Sequence, residues 1–168
     1  VSVPEEMNLV AKHFGKSCLR EVNLIEFYKA IPELRKKCSD RAILRSAHFF
    51  SENERAGLEA AALSKGSFDE FLSLVKESGD SSAKWLQNLY SCSKPQEQGI
   101  PLALLISEKI LKDKGAVRVH GGGFAGTIQA FVPLSKCYDY ENAMNELFGD
   151  KSCYRLKIRN FGGINIAE

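Results

Sequence analysis

Ala116-Val117-Arg118-Val119-His120-Gly121-Gly122-Gly123-Phe124-Ala125-Gly126-Thr127-Ile128-Gln129-Ala130-Phe131-Val132 is the stretch on which the fold turns. Its two ends, 116–119 and 127–132, are rich in β-branched and aromatic residues and read as strands. The segment between them holds four glycines in six positions, 121–126. Gly121, Gly123 and Gly126 satisfy G-x-G-x-x-G, but a dinucleotide site requires that pattern to open a helix, and here a strand follows. No Gly-Lys-Ser/Thr follows either, so the loop is not a Walker A. What remains is a tight inter-strand loop whose residues tolerate φ > 0 and admit a close neighbour at the backbone. Successive free N–H groups in such a loop can cradle an anion, whereas the plain reading is a wide hairpin turn with no ligand.

Outward from the loop, Leu102, Leu105, Ile106 and Ile110 are helix-spaced behind Pro101, and Gly115 has the position of a helix-ending C′ residue. Downstream, Asp139 is placed to cap a helix bearing Ala143, Met144, Leu147 and Phe148. The alternation of 153–158 predicts a third strand. Residues 100–168 therefore read as helix–strand–strand–helix–strand, most of a ferredoxin-like α/β sandwich, and the fold class is α+β. Residues 1–99 read as mainly helical. A first helix carries Met7, Val10, Ala11 and Phe14, and a short one capped by Asn23 is interrupted near Pro32. A long helix capped by Asp40 presents Ile43, Leu44, Ala47, Phe50, Leu58, Ala61 and Leu63 as its core stripe, and Gly66 ends it. Ser67 to Glu70 has capping-box spacing. After a break at 78–80, a further helix is predicted around Trp85, Leu86, Leu89 and Tyr90.

Composition narrows the function classes. The 168 residues are 44% hydrophobic and 26% charged, ordinary globular proportions, and ten Phe, five Tyr and one Trp exclude a disordered chain. A net charge of +2 leaves no basic excess to neutralise a run of phosphates, so no nucleic-acid partner is expected. No apolar run approaches the roughly 18 residues of a membrane span, so no membrane partner is expected. The first residues lack a secretory leader, and the absence of an initiator Met suits a fragment or a processed product. Cys18, Cys38, Cys92, Cys137 and Cys153 are odd in number and widely spaced. They are expected to be reduced, mostly buried thiols of a cytoplasmic protein, with no metal site.

Residues 115–126, Gly-Ala-Val-Arg-Val-His-Gly-Gly-Gly-Phe-Ala-Gly, resemble the third motif of the GHMP small-molecule kinases, G-A-x-[KR]-x-[ST]-G-[AG]-G-F-G-G, and most closely that of the galactokinases. Arg45, His48, Glu52, Asn53 and Arg55 are similar to their R-x-x-H-x-x-x-E-N-x-R helix. Glu77-Ser78-Gly79-Asp80-Ser81-Ser82 with Tyr90, Ser91 and Cys92 looks like their E-S-H-x-S-L…Y…S-C segment, and residues 4–15 fit their linker. His120 in place of Ser or Thr, Ala125 in place of Gly, Gly79 in place of His and Gln96-Glu97-Gln98 depart from the pattern. These departures bear on the substrate more than on the fold.

The resemblance implies that residues 1–168 form the C-terminal domain of such a kinase. The G-R-x-N-[LI]-I-G-E-H sugar segment, the serine-rich ATP loop and the catalytic Asp with its Arg are expected in an N-terminal kinase domain that this chain lacks. No catalytic residue is therefore assigned here, and the isolated chain is expected to be inactive. The implied reaction moves the γ-phosphate of Mg·ATP to the C1 hydroxyl of galactose, with ATP, Mg2+ and a sugar as ligands. The implied nucleotide-side residues are His120, Gly121, Gly122, Gly123, Phe124, Ala125, Gly126 and Thr127, with Phe124 expected in the domain interface. The alternatives are a free-standing, non-catalytic ferredoxin-like binding module and another GHMP branch acting on galacturonate or mevalonate. Among other residues, His13 and His48 read as structural or surface helix histidines, and Arg35-Lys36-Lys37 as a solvated helix end. Glu52 and Glu54 read as exposed carboxylates, Ser91 as a loop cap and Cys92 as a buried thiol.

Overall fold

A computed structural model describes residues 2–124 and 126–158. The chain runs α1 (Val3–His13), α2 (Leu24–Leu34), α3 (Asp40–Ser64), α4 (Phe68–Ser81), α5 (Gly99–Leu111), β1 (Ala116–Val119), β2 (Ile128–Phe131) and α6 (Cys137–Phe148). The fold is α+β.

Local chemistry explains the helix starts. Ser2 and Glu5 form a reciprocal capping box on α1, and the Asn23 side chain accepts from the backbone N–H groups of Ile25 and Glu26 on α2. Several expectations are corrected. Ser39, not Asp40, caps α3, its hydroxyl accepting from Ala42 N. Ser67 makes no capping bond. α2 continues through Pro32 and stops at Leu34, because a proline two residues from the end removes one ladder bond and little more. α4 does not break at 78–80. It runs on to Ser81, widens into a π-helical turn at Ser82–Leu86, and ends at left-handed Gln87, so no helix forms around Leu89 and Tyr90.

β1 and β2 pair antiparallel, with Ala116 opposite Phe131, Val117 opposite Ala130, Arg118 opposite Gln129 and Val119 opposite Ile128. Successive strand residues face opposite ways, and the core divides accordingly. Ala116 and Phe131 pack with Ala62, Phe71, Leu72 and Val75 of α3 and α4. Val117, Ile128 and Ala130 pack with Leu111, Tyr140 and Met144 of α5 and α6. A two-stranded sheet is thus covered by helices on both faces. A third core ties α1, α2 and the first half of α3 together through Val10, Phe27, Leu34 and Ile43.

The expected third strand at 153–158 is not paired among the described residues. Alternation does not supply a ladder partner, and this segment is tied to α6 instead: Cys153 N donates to Asn145 Oδ1 at 3.3 Å, and Arg155 Nε to Glu141 at 2.8 Å. Its alternating Tyr154, Leu156 and Ile158 are exposed. Gly115 is no C′ residue either, since α5 is capped at Lys112. Gly115 is required by a close approach, because a Cβ there would stand 2.5 Å from Phe131 O and 2.9 Å from Leu111 Cδ2.

Candidate functional site

The glycine loop joins β1 to β2, as the strand reading of its flanks requires, and no helix follows it. Its neck is closed by His120 N donating to Thr127 O at 3.0 Å. Gly121 (φ 64°), Gly123 (φ 71°), Phe124 (φ 51°) and Gly126 (φ 85°) are left-handed, and Gly122 is not. Glycine supplies this left-handed backbone without a Cβ penalty at 121, 123 and 126. Gly121 and Gly122 are exposed, and a Cβ at either would meet nothing within 4 Å. His120 and Thr127 are exposed at the neck and Phe124 is half-exposed, whereas Ala125 lies outside the described residues.

Gly123 is different. A Cβ there would lie 2.6 Å from Asn88 Nδ2, 2.8 Å from Asn88 Cβ and closer still to Asn88 O. The same carbonyl accepts from Phe124 N at 3.0 Å. Asn88 is 1% exposed, and its Oδ1 has no partner among the described residues. The loop therefore rests on Asn88, which follows the π-helical turn. Sequence reasoning missed it because periodicity placed it inside a helix that does not form.

Around this support lies a partly buried polar cluster on one face of α3. Arg45, His48, Glu52, Arg55, Glu59 and Ala62 recur at alternating spacings of three and four, so they line one stripe. That stripe, and not the expected Leu58, Ala61 and Leu63, faces the sheet; Leu58 and Leu63 are about half exposed. Glu52, expected to be exposed, is paired. It accepts from Arg55 and Ser78, and Arg118 NH1 on β1 stands 3.5 Å from its Oε2. His48 is buried with its Nδ1 2.8 Å from Ser81 Oγ. Burial depresses its basicity; the nearby Glu52 carboxylate opposes this, and Arg118 and Arg55 add to it. Arg45 NH1 donates to Glu6 at 2.7 Å, and its Nε donates to Leu86 O at 3.0 Å. Burial raises the Glu6 carboxyl, but the hydrogen bonds and charges of Arg41 and Arg45 prevail and hold it below its usual range.

Gly79, where the kinase motif has His, packs α4 tightly on β1, with a Cβ position only 3.3 Å from Val117 O and Arg118 Cβ. All five cysteines are unpaired. The expectation of mostly buried thiols is corrected, since Cys18 and Cys92 are exposed and the others are intermediate. Among the described residues, no three His, Cys, Asp or Glu side chains converge to hold a metal ion, and no helix is long and apolar enough to cross a membrane. Two open clefts, of about 280 Å³ beside Gly79 and Leu104 and about 580 Å³ beside Phe68 and Phe131, do not include the loop.

The galactokinase of Mannheimia succiniciproducens is 27% identical over 132 residues, which are 79% of this chain and 32% of that relative. The chain is a galactokinase homologue. It spans about a third of the length of the curated relative it matches. The crystal structure of Lactococcus lactis galactokinase complexed with galactose shares the fold, with a TM-score of 0.66 and 20% identity over 85% of this chain and 35% of that one. No protein-family model matches the sequence.

Proposed function

We propose that the chain is the C-terminal part of an ATP-dependent sugar kinase that transfers the γ-phosphoryl group of ATP to the C1 hydroxyl of galactose. One observation carries this reading: a strand–loop–strand turn with open backbone at Gly121 and Gly122, in a chain homologous to about a third of a galactokinase. On this reading residues 1–168 are one unit. The helical 1–99 supports the loop, and 100–168 supplies a ferredoxin-like half, to which the order α5–β1–β2–α6 lends support. The sugar site, the second ATP loop and the catalytic Asp belong to the part of the relatives that this chain does not span. The protein acts in the cytoplasm, where five unpaired thiols remain reduced.

Phosphoryl transfer asks a protein mainly for positioning and for stabilisation of charge on the transferring oxygens. On this reading the amides of Gly121, Gly122 and Gly123 do the second, on the phosphate side of the site. His120 and Thr127 close the neck, Gly126 completes the turn, and Phe124 forms the outer edge toward the rest of the enzyme. Bound Mg2+ would neutralise phosphate charge; among the described residues no acidic cluster converges to hold it. The test is sugar-dependent ADP release by the intact protein. Release with galactose, and not with galacturonate or mevalonate, is expected. No release with any sugar refutes the kinase reading and leaves a binding module; release with another substrate refutes galactose.

A further inference from the structure

The loop has two stems, and one helix reaches both. Strand β1 enters the loop from below, and Arg118 lies two residues before His120. Its NH1 meets Glu52, while its Nε donates to the carbonyl of Val119 at 3.1 Å. The Glu52 carboxylate is therefore shared among Arg55 on its own helix, Ser78 on α4 and Arg118 on β1. On the other side, the platform under Gly123 and Phe124 is the backbone of Asn88. It hangs from the end of the π-helical turn, and Leu86 O in that turn accepts from Arg45 Nε. Arg45 is itself locked by Glu6, both side chains being 5% exposed. Arg45 and Glu52 are seven residues apart, two turns along the same face of α3.

We infer that Arg45 and Glu52 are positioning residues that hold the glycine loop from its two sides. This deepens the kinase reading and rests on it only for the kinetic arm below. The physical case is one of rigidity. The loop has no side-chain contacts of its own at Gly121 and Gly122, and its left-handed backbone carries no intrinsic preference that would keep it in place. Its order has to come from its supports. Charged groups that are partly or wholly buried and share hydrogen bonds have few alternative arrangements, since any departure strands a charge away from water. A salt bridge at the surface would not do this.

The experiment uses the intact protein with two substitutions. Arg45→Lys keeps a cation for Glu6 and removes the Nε donor to Leu86. Glu52→Gln keeps the size and the Ser78 contact and removes the charge that Arg118 meets. Amide hydrogen exchange is read at His120 N and Phe124 N, the two loop donors, and at Val10 and Ala11 in the α1 core. Each variant is expected to accelerate exchange at the loop amides by at least about tenfold while leaving the α1 amides unchanged. The KM for ATP is expected to rise by a larger factor than the KM for the sugar. Unchanged loop exchange, or acceleration of the same size in α1, overturns the inference. If Glu52→Gln loosens the whole chain, Arg118→Gln, which spares the Glu52 contacts to Arg55 and Ser78, carries the same expectation and the same refutation. A wild-type protein with no sugar-dependent ADP release removes the kinase reading alone, because the exchange arm still decides the positioning role.

Discussion

Replacing Gly123 by Ala adds one methyl group where the structure has no room for it. The new Cβ would fall 2.6 Å from Asn88 Nδ2 and 2.8 Å from Asn88 Cβ, well inside contact distance, with Asn88 O nearer still. Asn88 is fully buried and its backbone anchors Phe124, so it cannot simply turn away. Overpacking of this kind costs about 1–3 kcal/mol. The left-handed φ of 71° adds about 1–2 kcal/mol for a residue with a Cβ. The molecule absorbs the sum, about 2–5 kcal/mol, either as lost stability or as a displaced loop. Gly122→Ala is the matched control: that position is exposed, lies outside the left-handed region and has open space around it, so stability should stay within about 0.5 kcal/mol of wild type. The assay is thermal unfolding together with kcat/KM for ATP in the intact protein. Gly123→Ala is expected to lower kcat/KM by about thirtyfold or more, equivalent to about 2 kcal/mol, or to lower Tm by about 4–8 °C. Wild-type Tm and wild-type kinetics in Gly123→Ala would refute both the packing of the loop on Asn88 and the role given to the loop.

Three other outcomes follow from the buried polar groups. His48 is held below its usual 6.5, so between the folded and unfolded values the unfolded chain binds the extra proton and stability rises with pH. Tm should therefore fall as pH drops below 6.5, and His48→Gln should flatten that slope; an unchanged slope would assign the titration elsewhere. The Glu6 carboxyl acts in a separate window, its contribution being present above 4.5 and lost as pH falls further. Glu6→Ala leaves Arg45 buried without its carboxylate and should cost about 3–5 kcal/mol in a urea titration, where a loss below 1 kcal/mol would mean that Arg41 and solvent suffice. Tyr140→Phe removes the buried bond at 2.8 Å to Ser107, whose own hydrogen still goes to Ala103 O, and should cost only about 1 kcal/mol by the same titration.

The long helix shows where reading from pattern reaches its limit. Hydrophobic periodicity selects Leu58, Ala61 and Leu63 as the inner face of α3, because apolar residues are assumed to turn inward. The helix instead turns His48, Glu52 and Arg55 toward α4 and β1, where His48 meets Ser81 and Glu52 is shared by Arg55, Ser78 and Arg118, while Arg45 pairs with Glu6 of α1. Polar residues at helical spacing look like a solvated face until their partners are known, and those partners lie 26 to 66 residues away in the chain. The segment after Ser78 failed for a related reason. Local signals mark a break there, but packing of Gly79 on β1 keeps α4 continuous and shifts the disruption to the π-helical turn. At 153–158, alternation alone cannot say whether a strand partner is present.

What the sequence determined by itself is what depends on neighbouring residues. The two strands and the glycine-rich turn between them follow from local propensity and backbone freedom, and so does the Asn23 cap. The order of motifs was enough to point to galactokinases. What only the tertiary structure decided is what depends on distant partners: that Gly123 is obliged to be glycine by Asn88, that Glu52 is a partly buried acceptor shared by three donors and not a free surface charge, and that one helix grips both stems of the loop. Each of these rests on atoms brought together by the packing of α3 and α4 on the sheet. No window of the chain contains both sides of such a contact.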